Sequence, residues 1–195
     1  MFPRKVIRMK TATASLAFAS TVLLAGCTHL VTFTPPAVPT APHTGASKGT
    51  AFIAKVVDQR PAGTDLFVFG NPPHKWIYQS TEKPEDIVHK LMKEALQRRG
   101  IAESTSPADT RRVNVELLDF SGQNEPGFWY LGKCLYSIRC GVKIEDPKGS
   151  TSFLVTGNGT NYIMKVSDEN MSQLLQQTYN DFLQNLGREL GKAGY

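Results

Sequence analysis

The residues of this 195-residue chain best equipped to form a covalent bond are its three cysteines, Cys27, Cys134 and Cys140. The spacing of Cys134 and Cys140 fits neither a Cys-x-x-Cys redox pair nor a zinc pair, and no histidine lies near them in sequence to complete a ligand set. In an oxidising compartment their default chemistry is a disulfide, worth on the order of 2 kcal/mol by loop entropy. A straight strand would hold the two roughly 20 Å apart, at about 3.3 Å per residue, so the bond requires a turn or bulge between them. Catalytic motifs are lacking: there is no Gly-x-Ser-x-Gly elbow, no His-Glu-x-x-His and no phosphate loop, and His29, His43, His74 and His89 stand apart. Asp58, Glu116, Asp119 and Glu145 are dispersed carboxylates that only a fold can bring together. No catalytic residue, metal ligand or cofactor is therefore assigned. Aromatic rings gather twice, as Phe67, Phe69, Trp76 and Tyr78, and as Phe128, Trp129 and Tyr130. Such clusters either fill a core or contact a partner or ligand, and Phe67, Phe69, Trp76, Tyr78, Trp129 and Tyr130 are the contact candidates.

Cys27 has a different context. Arg4, Lys5, Arg8 and Lys10 form a basic start, Thr13 to Leu24 an apolar run too short for a comfortable membrane span, and Leu24, Ala25, Gly26 and Cys27 close it. These last four residues resemble the bacterial lipobox. The resemblance implies a signal over residues 1–26 that is cut before Cys27, a diacylglyceryl group on its thiol, and usually an acylated amine. Two or more acyl chains suffice for stable anchoring, at about 0.8 kcal/mol per buried methylene. Thr28 stands where an Asp would favour inner-membrane retention, so the pattern leans to the periplasmic face of the outer membrane.

Removal of such a signal changes the charge balance. Four of the 22 basic residues leave with it and none of the 17 acidic ones, so 18 face 17 and the formal charge of +5 nearly vanishes. A near-neutral domain lacks the electrostatic footprint of phosphate binding, which excludes nucleic acid as a partner. The 169 residues that remain are enough for one domain with a real core.

The elements that must position these residues follow in order. Residues 27–49, with Pro35, Pro36, Pro39 and Pro42, read as a Pro/Thr-rich tether reaching between about 25 and 65 Å. A single domain over residues 50–195 starts with a strand in Ala51 to Val57, where Asp58 and Arg60 are spaced for a structural ion pair. Leu66 to Tyr78 is irregular around Gly70, Pro72 and Pro73. Pro84, Glu85 and Asp86 open a helix with Ile87, Val88, Leu91, Ala95 and Leu96 on its apolar face, capped at Gly100; His89, Lys90 and Lys93 form its solvated side. Val113, Val115, Leu117 and Phe120 predict a second strand, Leu135 to Glu145 a third, and Ser150 to Met164 a fourth, the last two joined by a tight turn at Asp146 to Gly149. Gly157 and Gly159 inside a strand predict a bulge or a close backbone approach. Ser167 caps a final helix with Met171, Leu174, Leu175, Phe182, Leu183, Leu186 and Leu190 on one stripe.

The expected class is α+β: a mixed sheet of about four strands in β-α-β-β-β-α order, with two helices on one face. Val57 to Arg60, the helix ending Leu96 to Gly100, the alternating strand from Val113, the hairpin and the final helix together resemble the YajG-like family of bacterial lipoproteins. The aromatic stretch Leu66 to Tyr78 and the pair Cys134 and Cys140 depart from that pattern. The functional expectation is a membrane-anchored periplasmic lipoprotein, a non-enzymatic adaptor or accessory subunit whose partners are the membrane, through Cys27, and an envelope protein. The alternative is a glycan-, peptidoglycan- or lipid-binding module that uses the aromatic loops.

Overall fold

A computed structural model describes residues 27–42, 48–61, 66–69, 74–106, 111–125, 132–147, 149–163 and 167–195. The elements are β1 (Cys27–Phe33), β2 (Gly49–Ile53), β3 (Val57–Asp58), β4 (Leu66–Phe69), β5 (His74–Ser80), α1 (Pro84–Arg98), β6 (Ile101–Glu103), β7 (Arg112–Glu125), β8 (Gly132–Asp146), β9 (Gly149–Ile163) and α2 (Asp168–Lys192). They form two sheets, a larger one in the order β6-β2-β7-β8-β9, with β3 also on β7, and a three-stranded one in the order β1-β5-β4. The α+β class and the helix-covered mixed sheet agree with the expectation; the strands are more numerous.

The larger sheet is parallel where helix α1 must return the chain, at β6-β2-β7, and antiparallel where tight connections suffice, at β7-β8-β9. Helix α1 starts at Pro84, with Glu85 and Asp86 in its first turn, and is followed by Gly100 at φ 78°, a left-handed position that suits glycine. In α2, the Asn170 amide donates to Ser167 Oγ at 3.3 Å, the expected N-cap. Ile87, Val88, Leu91, Met92 and Leu96 of α1 meet Leu174, Tyr179, Phe182, Leu186 and Leu190 of α2 in one core. The sheet contributes Val113, Val115, Leu117, Tyr136, Ile138, Val142 and Ile144 to it. Leu117 and Phe120 are both buried although three positions apart because a bulge between Leu117 and Asp119 shifts the alternation by one residue.

Residues 157 and 159 have no side chain because α2 lies against them. A Cβ at Gly157 would stand 2.4 Å from Phe182 Cβ and 2.7 Å from its backbone; one at Gly159 would stand 2.3 Å from Thr178 Oγ1 and 2.5 Å from the Leu174 carbonyl oxygen. Strand β9 runs straight through both positions, so of the two expected explanations the close approach is the one that applies. The same contact blunts the open edge of β9: the Asn158 amide donates to Asp181 Oδ2 at 2.9 Å, and Asn185 Nδ2 donates to the Thr156 carbonyl at 2.8 Å.

Asp58 and Arg60 form the expected clamp. Arg60 Nε and Nη2 donate to Asp58 Oδ1 and Oδ2 at 2.9 and 2.6 Å, and Nη1 reaches the Phe120 carbonyl at 3.3 Å with the guanidinium 5.8 Å from that ring. Hydrogen bonding to Arg60 outweighs partial burial and holds the Asp58 carboxyl below its ordinary range. A depressed carboxyl stabilises the fold above its unfolded value and ceases to as pH falls through the folded one. In urea titrations, the stability gap between wild type and Asp58→Asn should therefore be constant near neutrality and close below about pH 4. A gap that persists in acid would show that Arg60 is held by something other than this carboxylate.

Three sequence expectations are corrected. Residues 27–42 are not a free tether: Cys27–Phe33 is strand β1, Phe33 is buried, and residues 34–42 strap across α1. There Glu94, itself only 3% exposed, accepts from the Ala41 amide at 2.8 Å and from Arg98 Nε at 2.7 Å, while Arg98 Nη2 donates to the Pro39 carbonyl at 3.0 Å. Prolines that suit a flexible linker equally suit an extended strap whose missing amides no sheet needs. Second, Leu66 to Tyr78 carries regular structure, the antiparallel pair β4 and β5. Third, Cys134 and Cys140 are free thiols. β8 pairs with β9 without interruption from Gly132 to Asp146, so no turn separates the cysteines, and about 20 Å of strand at 3.3 Å per residue lies between them. A disulfide needs Cα atoms no more than about 7 Å apart.

Candidate functional site

The small sheet brings the sequence-selected residues together by register. Strands β1 and β5 run parallel, pairing Cys27 with His74, His29 with Trp76, Val31 with Tyr78 and Phe33 with Ser80. β4 adds Phe67 opposite Tyr78 and Phe69 opposite Trp76. Cys27, Phe67 and Phe69 are thus placed by their backbones on one small platform; Trp129 and Tyr130 lie outside the described residues.

Burial is graded along this platform. At one end Phe33 and Tyr78 are buried, with ring centroids 6.4 Å apart and edge-on, and the Thr81 amide ties the end down through the Phe33 carbonyl at 3.0 Å. Tyr78 is therefore a core residue and not a contact candidate as its sequence suggested: its ring is inside and burial raises its hydroxyl pKa. At the other end Trp76 is 38% exposed and Leu30 65% exposed, and His29 stacks on Trp76 at 4.4 Å with the planes 22° apart. This exposed end is the one on which β1 begins, at Cys27.

His29, Leu30 and Val31 are the residues of this platform that the sequence reading did not single out. Their signal was present: His29, Val31 and Phe33 alternate with Leu30 and Thr32, the period of a strand, ahead of the first proline. Reading residues 27–49 as one low-complexity segment concealed it.

The remaining chemical groups are engaged elsewhere. Burial pushes the Cys134 thiol to about 11 and that of Cys140 to about 12, so both stay protonated and unreactive near neutrality. His89 and Lys93, expected as a solvated face, pair with Glu103 at 2.9 and 2.7 Å. Among the described residues no group of three or more His, Cys, Asp or Glu is placed to hold a metal ion.

A second surface is the face of β7-β8-β9 opposite the helices. Asn114, Glu116, Lys143 and Ser152 line a shallow depression on it beside Gly141, with Leu154, 56% exposed, at its rim. Tyr162 of β9 is 70% exposed.

No protein-family model and no curated protein matches this sequence. Among solved structures, the chain is similar to an uncharacterized protein at 14% identity and TM-score 0.51, over 82% of this chain and 99% of the other. A Xanthomonas campestris protein is similar at 10% identity and TM-score 0.47, over 86% and 94%. A minor lipoprotein from Acinetobacter baumannii follows at 15% identity and TM-score 0.42, over 75% and 94%. The first likeness is one of fold. The neighbours include bacterial lipoproteins. No helix among the described residues is long and apolar enough to cross a membrane.

Proposed function

We propose that this protein is a lipid-anchored periplasmic lipoprotein of the outer membrane, YajG-like in character, which serves as a non-enzymatic adaptor for an envelope assembly. The observation that supports the reading is the lipobox-like stretch that ends at Cys27, the residue on which strand β1 opens. Cleavage before Cys27 would keep every described element and place the acyl chains on a strand end. The thiols that remain are buried and inert, and the open face around Leu154 and Tyr162 is the surface left for a protein partner.

Cys27→Ala should abolish incorporation of a labelled palmitate analogue and move the protein from the outer-membrane to the soluble fraction, with its far-ultraviolet spectrum unchanged. Retention in the membrane without the label would refute the anchor. Photocrosslinking from probes at Leu154 and Tyr162 in cells should trap one discrete envelope protein. The absence of any protein adduct from correctly anchored material would shift the reading to the ligand-binding alternative.

A further inference from the structure

The geometry points to the exposed end of the small sheet as a second membrane contact: His29, Leu30 and Trp76 enter the phospholipid interface beside the acylated cysteine, so the domain is seated on the bilayer and does not stand off on a tether. This inference rests on acylation of Cys27 and adds an orientation to it.

The argument begins with distance. Leu30 follows Cys27 by three strand residues, about 10 Å of extended chain, which is comparable to the depth to which interfacial segments bury their apolar groups. A lipid on a flexible linker would leave such residues free of the surface. Here the residue that carries the lipid is itself the first rung of a paired ladder, so the bilayer is brought to the strand end.

The chemistry at that end fits the occupant. Trp76 and His29 lie on one face and Leu30, between His29 and Val31, on the other, so apolar or amphipathic groups flank the strand end on both sides. Tryptophan favours the headgroup level because its ring is apolar and its indole N–H can be solvated there. Leucine adds apolar area that water otherwise covers. The opposite end is held in the core at Phe33 and Tyr78, so the sheet acts as a rigid foot: one end built into the domain, the other in lipid. Among the described residues the edge of β1 away from β5 has no strand partner, which lets the foot enter end-on without separating two paired strands.

Trp76 reports directly on this. The chain has two tryptophans, so Trp129→Phe leaves Trp76 as the only indole. The full-length acylated protein is reconstituted into phosphatidylethanolamine and phosphatidylglycerol vesicles whose acyl chains are brominated near the headgroup, and mass spectrometry of the same sample establishes the acyl groups on Cys27. Trp76 emission should shift to the blue and lose most of its intensity to bromine, and Leu30→Glu should restore both while the protein stays vesicle-bound through its lipid. If Trp129→Phe does not fold, the difference between wild type and Trp76→Phe isolates the same signal. Acylated, vesicle-bound protein whose Trp76 is unquenched, or is quenched equally in Leu30→Glu, overturns the seated orientation and leaves the anchor standing. An unmodified Cys27 overturns both, and the mass distinguishes the two failures.

Discussion

Gly157→Ala and Gly159→Ala should each destabilise the domain by about 3 kcal/mol, at the upper end of what overpacking costs, and lower its melting temperature by on the order of 10 °C. At Gly157 the added methyl would fall 2.7 Å from the Phe182 Cα and amide nitrogen, and at Gly159 it would fall 2.5 Å from the Leu174 carbonyl oxygen. These are backbone atoms, so no rotamer change relieves the clash and α2 must move away from β9. That displacement would also strain the bonds from Asp181 and Asn185 that close the β9 edge, so aggregation through the freed edge should accompany the loss of stability. Gly187→Ala is the control. It lies in the same helix, a Cβ there meets nothing within 4 Å, and replacing a helical glycine should gain roughly 0.5–1 kcal/mol. Thermal melts of the three variants decide the matter; equal melting temperatures for Gly157→Ala and Gly187→Ala would mean that α2 does not pack against β9 as described.

The second large effect is expected at Glu94. Its carboxylate holds the strap by accepting from the Ala41 amide and by orienting Arg98 toward the Pro39 carbonyl. Glu94→Ala removes the acceptor for both donors, with a cost of about 2 kcal/mol; Arg98 is partly exposed and can turn to solvent, which limits the loss. The more informative readout is local. Limited proteolysis should cut within residues 34–42 at least about tenfold faster in Glu94→Ala, the factor that corresponds to 1.4 kcal/mol of local opening. Lys93→Ala, which breaks only the exposed pair with Glu103, should change the rate by less than about threefold. If the two variants are cut alike, the strap is held by its own packing and not by Glu94. Freed strap residues would become the flexible linker that the prolines resemble.

Much of this protein was legible in its sequence because local chemistry decided it. Pro84 with two acids behind it opens α1, Gly100 closes it, Ser167 caps α2, and the apolar stripes of both helices match the residues found buried. The Asp58 and Arg60 clamp was visible because its partners sit two residues apart. The resemblance of Leu24, Ala25, Gly26 and Cys27 to a lipobox is likewise a local pattern of four consecutive residues. Composition alone places four of the basic residues, and no acidic one, before Cys27.

What only the tertiary structure decided depends on residues distant in the chain. Cys134 and Cys140 looked like a disulfide because an oxidising compartment favours one; the unbroken pairing of β8 with β9 keeps them apart, and no feature of the five intervening residues announces that a partner strand will hold them straight. Residues 27–42 looked like a tether because proline is compatible with both a coil and a strap, and the choice was made by β5 and by Glu94, 53 residues from its partner Ala41. Trp76 and Tyr78 share a strand and a face, and nothing in their types separates them. One is core and the other surface because the small sheet is built into the domain at Phe33 and left open at Cys27, a gradient of burial that exists only once the two strands are side by side.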